Sequence, residues 1–376
     1  MKKEDRQEIK IERREFLIRS LQIGCGGIAG LSLSAMLPGC DGGSSSSSST
    51  SSSSSSTTSS SSGGCNPSSN CAGTSVRSGY RPVVSSAWIK KGTHESSYNL
   101  YKSMVEAATD FSWLAKNDRV LIKLALNSAN AFPATTDPWS LGCMLDLLKE
   151  KGAGTILVGD QSGIYQSNST QTCMNNSGLM SVINAKGATP VYFENGGFFT
   201  ASAANWSGSV SITNYVNQVD HIIYLPRIAT HSLADKTFSL KIAVGFLNSS
   251  SRRTMHSGTI TNLYPSINDI ANIKSRFRLS VTSARKVMTT GGPDSGTIVE
   301  PDQGLIFASS DLLAADIMAG AFLEVVKGTT NDIYCHQAVQ SYVARNGNIE
   351  KLIWDSLNTH PDSTVTNALI SSLKKV

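Results

Sequence analysis

Val120-Leu121-Ile122-Lys123-Leu124-Ala125-Leu126 is a short apolar run interrupted by one lysine, and it reads as a buried strand. Just beyond it, Thr135-Thr136-Asp137-Pro138 opens a helix, with Asp137 as candidate N-cap and Pro138 at the first helical position. That helix is predicted to run to Lys151 and stop at Gly152. A short strand, Thr155 to Val158, then leads into Gly159-Asp160-Gln161-Ser162-Gly163.

Working outward, the same alternation continues on both sides. Val83–Ile89 reads as a strand and Tyr98–Leu114 as a helix. Downstream come a helix at Leu179–Ala185 and strands at Pro190–Phe193 and Val219–Leu225. Phe277–Ala284 and Gly304–Ala308 follow as strands, then a long helix from Leu312 to Val326 that starts after Asp311. Helical segments are expected near Ile333–Arg345 and Ile349–Leu357. Strands and helices alternating at this spacing predict an α/β fold, with one mainly parallel or mixed sheet flanked by helices.

The first 80 residues have a different character. Residues 1–40 carry Arg13-Arg14-Glu15-Phe16-Leu17, a glycine-rich apolar run and then Leu37-Pro38-Gly39-Cys40. Paired arginines before such a run resemble a twin-arginine export signal, and the ending resembles a lipoprotein cleavage site with Cys40 as the lipidated residue. As a permanent span the run is short, roughly 25 Å at about 1.5 Å per residue. Residues 44–62 are all Ser or Thr and cannot bury apolar area to offset their ordering entropy. The expected organisation is therefore a signal over 1–40, a flexible tether over 41–80 and a single α/β domain over 81–376. The expected location is the extracytoplasmic side of a bacterial cell envelope, held by a lipid anchor and reached through the twin-arginine export machinery.

The formal net charge is +5, of which +2 falls in residues 1–40 and +3 in the rest. So even a balance is no electrostatic footprint for nucleic acid, and any cationic function must be local. Seven cysteines are present without a C-x-x-C, which excludes an iron–sulfur motif or a zinc ribbon within this chain. Cys143, Cys173 and Cys335 read as isolated thiols. Cys65 and Cys71 are close enough for a local disulfide in an oxidising compartment.

Positive charge does concentrate between Tyr224 and His256. Arg227, His231, Lys236, Lys241, Arg252, Arg253 and His256 lie there with Asp235 as the sole acid. The segment leaves a strand where binding loops leave a sheet, and Asp160 ends another strand in the same way. Two readings of the histidines stay open. With a carboxylate such as Asp160, Asp311 or Asp316, His231 and His256 suit a divalent metal such as zinc, iron or nickel. With Lys241, Arg227 and Arg253 they suit acid–base work around a small anionic molecule. Lys123, alone in its apolar strand, must be paired or lose its proton, and is either ligand-facing or a snorkelling lysine. Arg252 and Lys236 are expected to be solvated, and Asp311 to cap its helix. Asp316, one turn inside that helix, is expected to face Lys123 or Lys241. Gly291-Gly292-Pro293 reads as a turn without the ending of a phosphate loop. G-x-S-x-G and H-E-x-x-H are absent.

Four ordered blocks resemble the domain-of-unknown-function 362 family. They are Val120–Lys123 with Ala134–Pro138 and Leu148–Ala153; Val158–Gly163; Leu225-Pro226-Arg227, Thr230–Leu233, Leu240-Lys241 and Arg252–His256; and Gly291–Pro293 with Gly296, Ala308–Asp311 and Ala315-Asp316. The resemblance implies catalytic candidates His231, Lys241, His256, Lys123 and Asp160, and substrate-binding candidates Arg227, Arg253, Thr136 and Gly292. The metal reading, drawn from the residues' own chemistry, takes His231, His256 and Asp316. Leu124-Ala125, Ala229, Ile242 and Ser283 stand where the family usually has Pro-Asn, Lys, Asn and Asp, so this is a divergent member. Three functions remain: an exported enzyme acting on a small anionic substrate, a tethered binding protein for such a ligand, and a degenerate relative.

Overall fold

The computed structural model describes residues 7–10, 76–165, 167–331, 333 and 336–373. Cys40, Cys65, Cys71, Cys335 and the Ser/Thr tract lie outside these residues. Eight strands build the main sheet: β1 (Val83–Lys90), β2 (Val120–Leu124), β3 (Ile156–Asp160), β4 (Thr189–Tyr192), β5 (His221–Leu225), β6 (Phe277–Ala284), β7 (Gln303–Ser309) and β8 (Ile353–Ser356). Their spatial order is β8-β1-β7-β6-β5-β2-β3-β4, and Gln7–Lys10 lies antiparallel along the outer edge of β8. Of the eight, β7 alone runs against its neighbours, so the sheet is mixed but mainly parallel.

All five residues of β2 are buried, because helices cover both faces of the sheet. Successive side chains alternate between two apolar layers. Val120, Ile122 and Leu124 join the layer with helices α1 (Tyr98–Ala108), α2 (Pro138–Glu150), α3 (Thr170–Asn176) and α4 (Leu179–Ala185). Leu121 joins the opposite layer, with α6 (Ser249–Ser257), α7 (Ile260–Ile267) and α8 (Leu312–Lys327); α5 (Ser239–Ile242), α9 (Gln337–Asn346) and α10 (Ser363–Leu373) also pack there. By the two-residue period, Lys123 shares the face of Leu121.

This layering fixes the working end of the sheet. The chain winds β2 to β3 to β4 through α2, α3 and α4 on one face. It then returns to the other side of β2 as β5, and moves on to β6 through helices on the opposite face. The winding reverses between β2 and β5, and the carboxyl ends of two such strands leave a crevice between the loops that diverge from them.

Local chemistry explains the element ends. Asp137 caps α2 by accepting from the Trp139 amide at 3.2 Å, Pro138 follows at the first position, and Gly152 beyond the end has φ +89°. The first helix ends at Ala108 rather than Leu114. Thr109 is extended there, and its hydroxyl accepts from Trp113 Nε1 at 2.9 Å while Asp110 accepts from the Ser112 amide at 2.9 Å. Such side-chain turns compete with the helical ladder.

The helix expected over Ile349–Leu357 is instead β8. Its Trp354 is buried and pairs in register with Val84, and the Trp354 indole donates to Ser86 Oγ at 2.7 Å. Pairing with an exposed sheet edge outweighed helical periodicity in this short segment.

Candidate functional site

Lys123 and Asp160 meet at the ends of adjacent strands. Lys123 Nζ donates to Asp160 Oδ1 at 2.7 Å and to the Leu124 carbonyl at 2.7 Å. The Asp160 carboxylate also accepts from the amides of Leu126 (2.8 Å) and Gln161 (2.7 Å), so both its oxygens are committed. Phe193 and Phe246 present their rings to the ammonium at 5.8 and 5.5 Å. Lys123 is 1% exposed, and burial pulls its pKa down to about 8 despite the neighbouring carboxylate. It does not snorkel; it is paired inside the fold.

Gly245 closes over this ion pair. A Cβ built there would lie 1.9 Å from Asp160 Oδ1 and 2.2 Å from Lys123 Nζ. The turn that carries Gly245 is held by Arg252, whose guanidinium donates to the carbonyls of Val244, Gly245, Leu247, Gln161 and Ser162 at 2.7–3.2 Å. Arg252 is thus buried rather than solvated, and it ties the loop after β3 to the start of α6. Lys236 is buried as well, 3.3 Å from Asp235 and 3.9 Å from Glu324. Planar, multidentate donation lets an arginine stay in a low-dielectric site without an ion-pair partner.

Arg227 is a second internal brace. It is 1% exposed and donates to the Pro133 carbonyl (3.0 Å), the Pro293 carbonyl (2.7 Å) and Asn127 Oδ1 (3.1 Å). Both Nη atoms expected to grip substrate are thus already engaged within the fold. Thr136 is likewise spent, donating to the Leu225 carbonyl and accepting from the Ala125 amide, both at 2.7 Å. That hydroxyl stitches the loop after β2 to the end of β5. Gly292 has φ +82°, and a Cβ there would fall 2.1 Å from the Thr230 carbonyl. It is a glycine packed closely on the Thr230–His231 backbone, next to Pro293, whose carbonyl Arg227 holds. Arg253 is exposed on α6.

Three candidates are left without a bracing role like that of Lys123 or Arg252: His231, which is buried, and Lys241 and His256, which are half-buried. His231 ends the short strand Ala229–His231, and its Nδ1 accepts from the amides of Leu233 and Ala234, both at 3.1 Å. Burial, then the charges of Lys241, Arg227 and His256, push its pKa down to about 2. The ring is neutral with its lone pair on Nδ1, so the proton sits on Nε2, a fixed donor. His256 has the opposite tautomer, because its Nδ1 lies 2.7 Å from the Arg252 carbonyl, which can only accept. Its Nε2 is left with the lone pair. Tyr165 stands edge-on to that ring at 5.5 Å.

Lys241 lies on α5, half-buried; among the described residues its ammonium has no hydrogen-bond or ion-pair partner, and it is not one of the buried atoms left without one. Burial lowers its pKa to about 7, helped by the charges of Arg227 and Arg252 and opposed by Asp294 and Asp160. An amine this easily freed of its proton can serve as base or nucleophile near neutrality.

Asp316 does not join the histidines. Its carboxylate faces the start of α5, accepting from the Leu240 amide at 3.1 Å, and burial raises its pKa to about 7. Asp311 caps α8 through the Ala314 amide at 2.8 Å, as expected, and pairs with Arg77 at 3.1 Å. No group of three His, Cys, Asp or Glu among the described residues is arranged to hold a metal ion, so the metal set His231, His256 and Asp316 is not assembled. Cys143 and Cys173 are free and buried. A cavity of about 570 Å³ opens elsewhere, beside Trp206, Thr254, Ser257 and Asn262, and no ionisable side chain lines it.

Sequence reasoning passed over Gly245, Asn127 and Asp294. Asn127 bridges Arg227 and the Asp294 carboxylate. Only the Asp-Ser within the Gly-rich turn hinted at Asp294, and nothing in the sequence marked Gly245.

The model of the family described as Domain of unknown function (DUF362) matches residues 120–321, more than half the chain. No curated protein matches. Among solved structures, a Thermotoga maritima protein determined by a structural genomics consortium is 14% identical with a TM-score of 0.42, over 64% of this chain and 61% of that one. The lactate racemase apoprotein from Thermoanaerobacterium thermosaccharolyticum is 11% identical with a TM-score of 0.39, over 62% and 54%. The chain thus spans less than two thirds of either.

Proposed function

The chain belongs to the family of the domain of unknown function DUF362, and we propose that in this member the crevice above β2 and β5 receives a small anionic substrate on which the protein acts as an enzyme. The observation that carries this reading is the half-buried amine of Lys241, which feels the charges of the braced Arg227 and Arg252 and itself bears on His231. Those two guanidiniums cannot reach a ligand directly, but they bias the crevice toward negative charge. His231 Nε2–H supplies a donor that cannot swing away, and His256 Nε2 a proton acceptor. A carboxylate or phosphate would thus meet one cation, one fixed donor and one base.

Capture without turnover is favoured by one specific observation: Lys123, Asp160 and Thr136, expected to take part, are satisfied within the fold. Export and lipid tethering belong to the same proposal and rest on Arg13-Arg14 and Cys40 in the sequence. Metabolic labelling with a radioactive fatty acid tests them, since Cys40→Ser should abolish incorporation.

The site reading is tested by thermal shift of the full chain with a panel of simple carboxylates and inorganic phosphate. A ligand that raises Tm for the parent but not for Lys241→Met supports it. If no anion shifts Tm, the reading is wrong.

A further inference from the structure

We propose that the cavity between α6, α7 and the loop joining the paired strands Phe198–Ala201 and Val210–Thr213 is a binding site for a small neutral sugar. It shares no residue with the anionic crevice, so each reading stands or falls without the other.

The lining selects the class of ligand. The volume of about 570 Å³ falls within the roughly 300–1,000 Å³ of small-molecule sites. Its polar groups are the amides of Asn205 and Asn262 and the hydroxyls of Ser207, Thr254, Ser257 and Thr259. Each of these side chains can both donate and accept, as can every hydroxyl of a sugar ring. No acidic or basic side chain lines the cavity, so a phosphate or carboxylate would leave water without a charge to meet it. A wholly apolar ligand would strand the amides and hydroxyls. Trp206 supplies the apolar surface against which the C–H groups of a sugar ring pack.

This wall is formed before any ligand arrives. Asn205 takes φ +68° in the loop, a conformation that asparagine tolerates better than most residues. Its Nδ2 donates to the Asn262 carbonyl at 3.3 Å and to Ser341 Oγ on α9 at 3.4 Å. The Trp206 indole donates to the Leu263 carbonyl at 3.1 Å, and the half-buried ring packs on the apolar core. Two successive side chains thus fasten the loop to α7, which spares the ligand the entropy of ordering it. With its N–H spent, the indole offers surface alone, and the hydrogen bonds must come from its neighbours. At Gly258, between α6 and α7, a Cβ would lie 3.0 Å from Leu263 Cδ1, so bare backbone leaves that space open. Among the described residues Thr259 makes no capping bond, and the side chains of Ser207 and Asn262 have no partner within the fold.

The test is calorimetric titration of the full chain with glucose, galactose, N-acetylglucosamine, maltose, cellobiose and N,N′-diacetylchitobiose. Saturable one-to-one binding of at least one of them is expected, weakened roughly tenfold or more in Trp206→Ala. That change also removes the bond to Leu263, so Thr254→Tyr serves as the second variant. It fills the cavity from an exposed helical position and should abolish binding with Tm unchanged. Lys241→Met should bind the sugar as the parent does; loss there would place the sugar in the crevice and overturn the assignment. Binding that survives both Trp206→Ala and Thr254→Tyr overturns it too, as does a panel in which no sugar binds. Tighter binding of glucuronate than of glucose, or of adenosine in place of any sugar, would also sink it.

Discussion

Gly245 lies against the buried carboxylate of Asp160 so closely that the smallest side chain would sit 1.9 Å from Oδ1. Asp160 cannot retreat, because the amides of Leu126 and Gln161 and the Lys123 ammonium all hold it. Gly245→Ala should therefore destabilise the fold by about 3 kcal/mol, as expected when a buried ion pair is forced apart. Urea denaturation checks this, and an unchanged midpoint would show that the turn gives way instead.

Adjacent arginines on α6 should respond very differently. Arg252→Lys removes most of the donors that reach the carbonyls of two loops, and a lysine in their place should cost about 3 kcal/mol. Arg253→Ala, at an exposed position, should change stability by no more than about 0.5 kcal/mol. Equal losses in the two variants would contradict the assignment of Arg252 as the brace.

Asp316 makes a signed prediction about pH. Its folded pKa is raised by burial to about 7, against 3.8 for an ordinary aspartate. The folded state then holds the extra proton between those values. Its contribution to stability is complete below the ordinary value and is lost as pH rises through about 7. Asp316→Asn keeps an oxygen for the Leu240 amide and removes the titration. The variant should gain stability on the parent, by roughly 1–3 kcal/mol, as pH rises from 5 to 8. Denaturant midpoints of both proteins at the two pH values measure the difference. Parallel behaviour would mean Asp316 does not titrate in this range.

His231 has the reverse sign. Its folded pKa is depressed to about 2 from an ordinary 6.5, so the neutral ring stabilises the fold above pH 6.5, and this is lost as pH falls below that value. His231→Asn preserves an acceptor for the amides of Leu233 and Ala234 while deleting the Nε2–H donor. It should fold as well as the parent at pH 7 and tolerate acid better. Anion affinity should weaken by about 1–3 kcal/mol, the scale of one lost hydrogen bond to a charged group. Calorimetric titration against whichever anion stabilises the parent provides the check.

The helix caps, the alternation of elements and the single lysine of β2 were legible because each depends on neighbours in the chain. Asp137-Pro138 marks a helix start wherever it occurs, and a mostly apolar seven-residue run is a strand in few surroundings other than a covered sheet. The cluster of charge from Arg227 to His256 was visible as composition. Its division of labour was not, since nothing local tells a guanidinium bound by five carbonyls from one in water. Arg252 and Arg253 are neighbours in sequence and differ only in which side of α6 they occupy relative to the Gln161 loop.

What the sequence determined by itself was the α/β class, most strands of the main sheet, and the concentration of His231, Lys241 and His256 in one segment. All of these follow from short-range periodicity, capping and residue type. Only the tertiary structure decided that winding reverses between β2 and β5, that Lys123 is consumed by Asp160 beneath Gly245, and that Asp316 serves the start of α5 rather than the histidines. Those facts depend on strand order and on side chains 37 to 122 residues apart meeting in a medium where every buried charge must find a partner. Lys241, half-buried and not sealed from water, is under no such constraint.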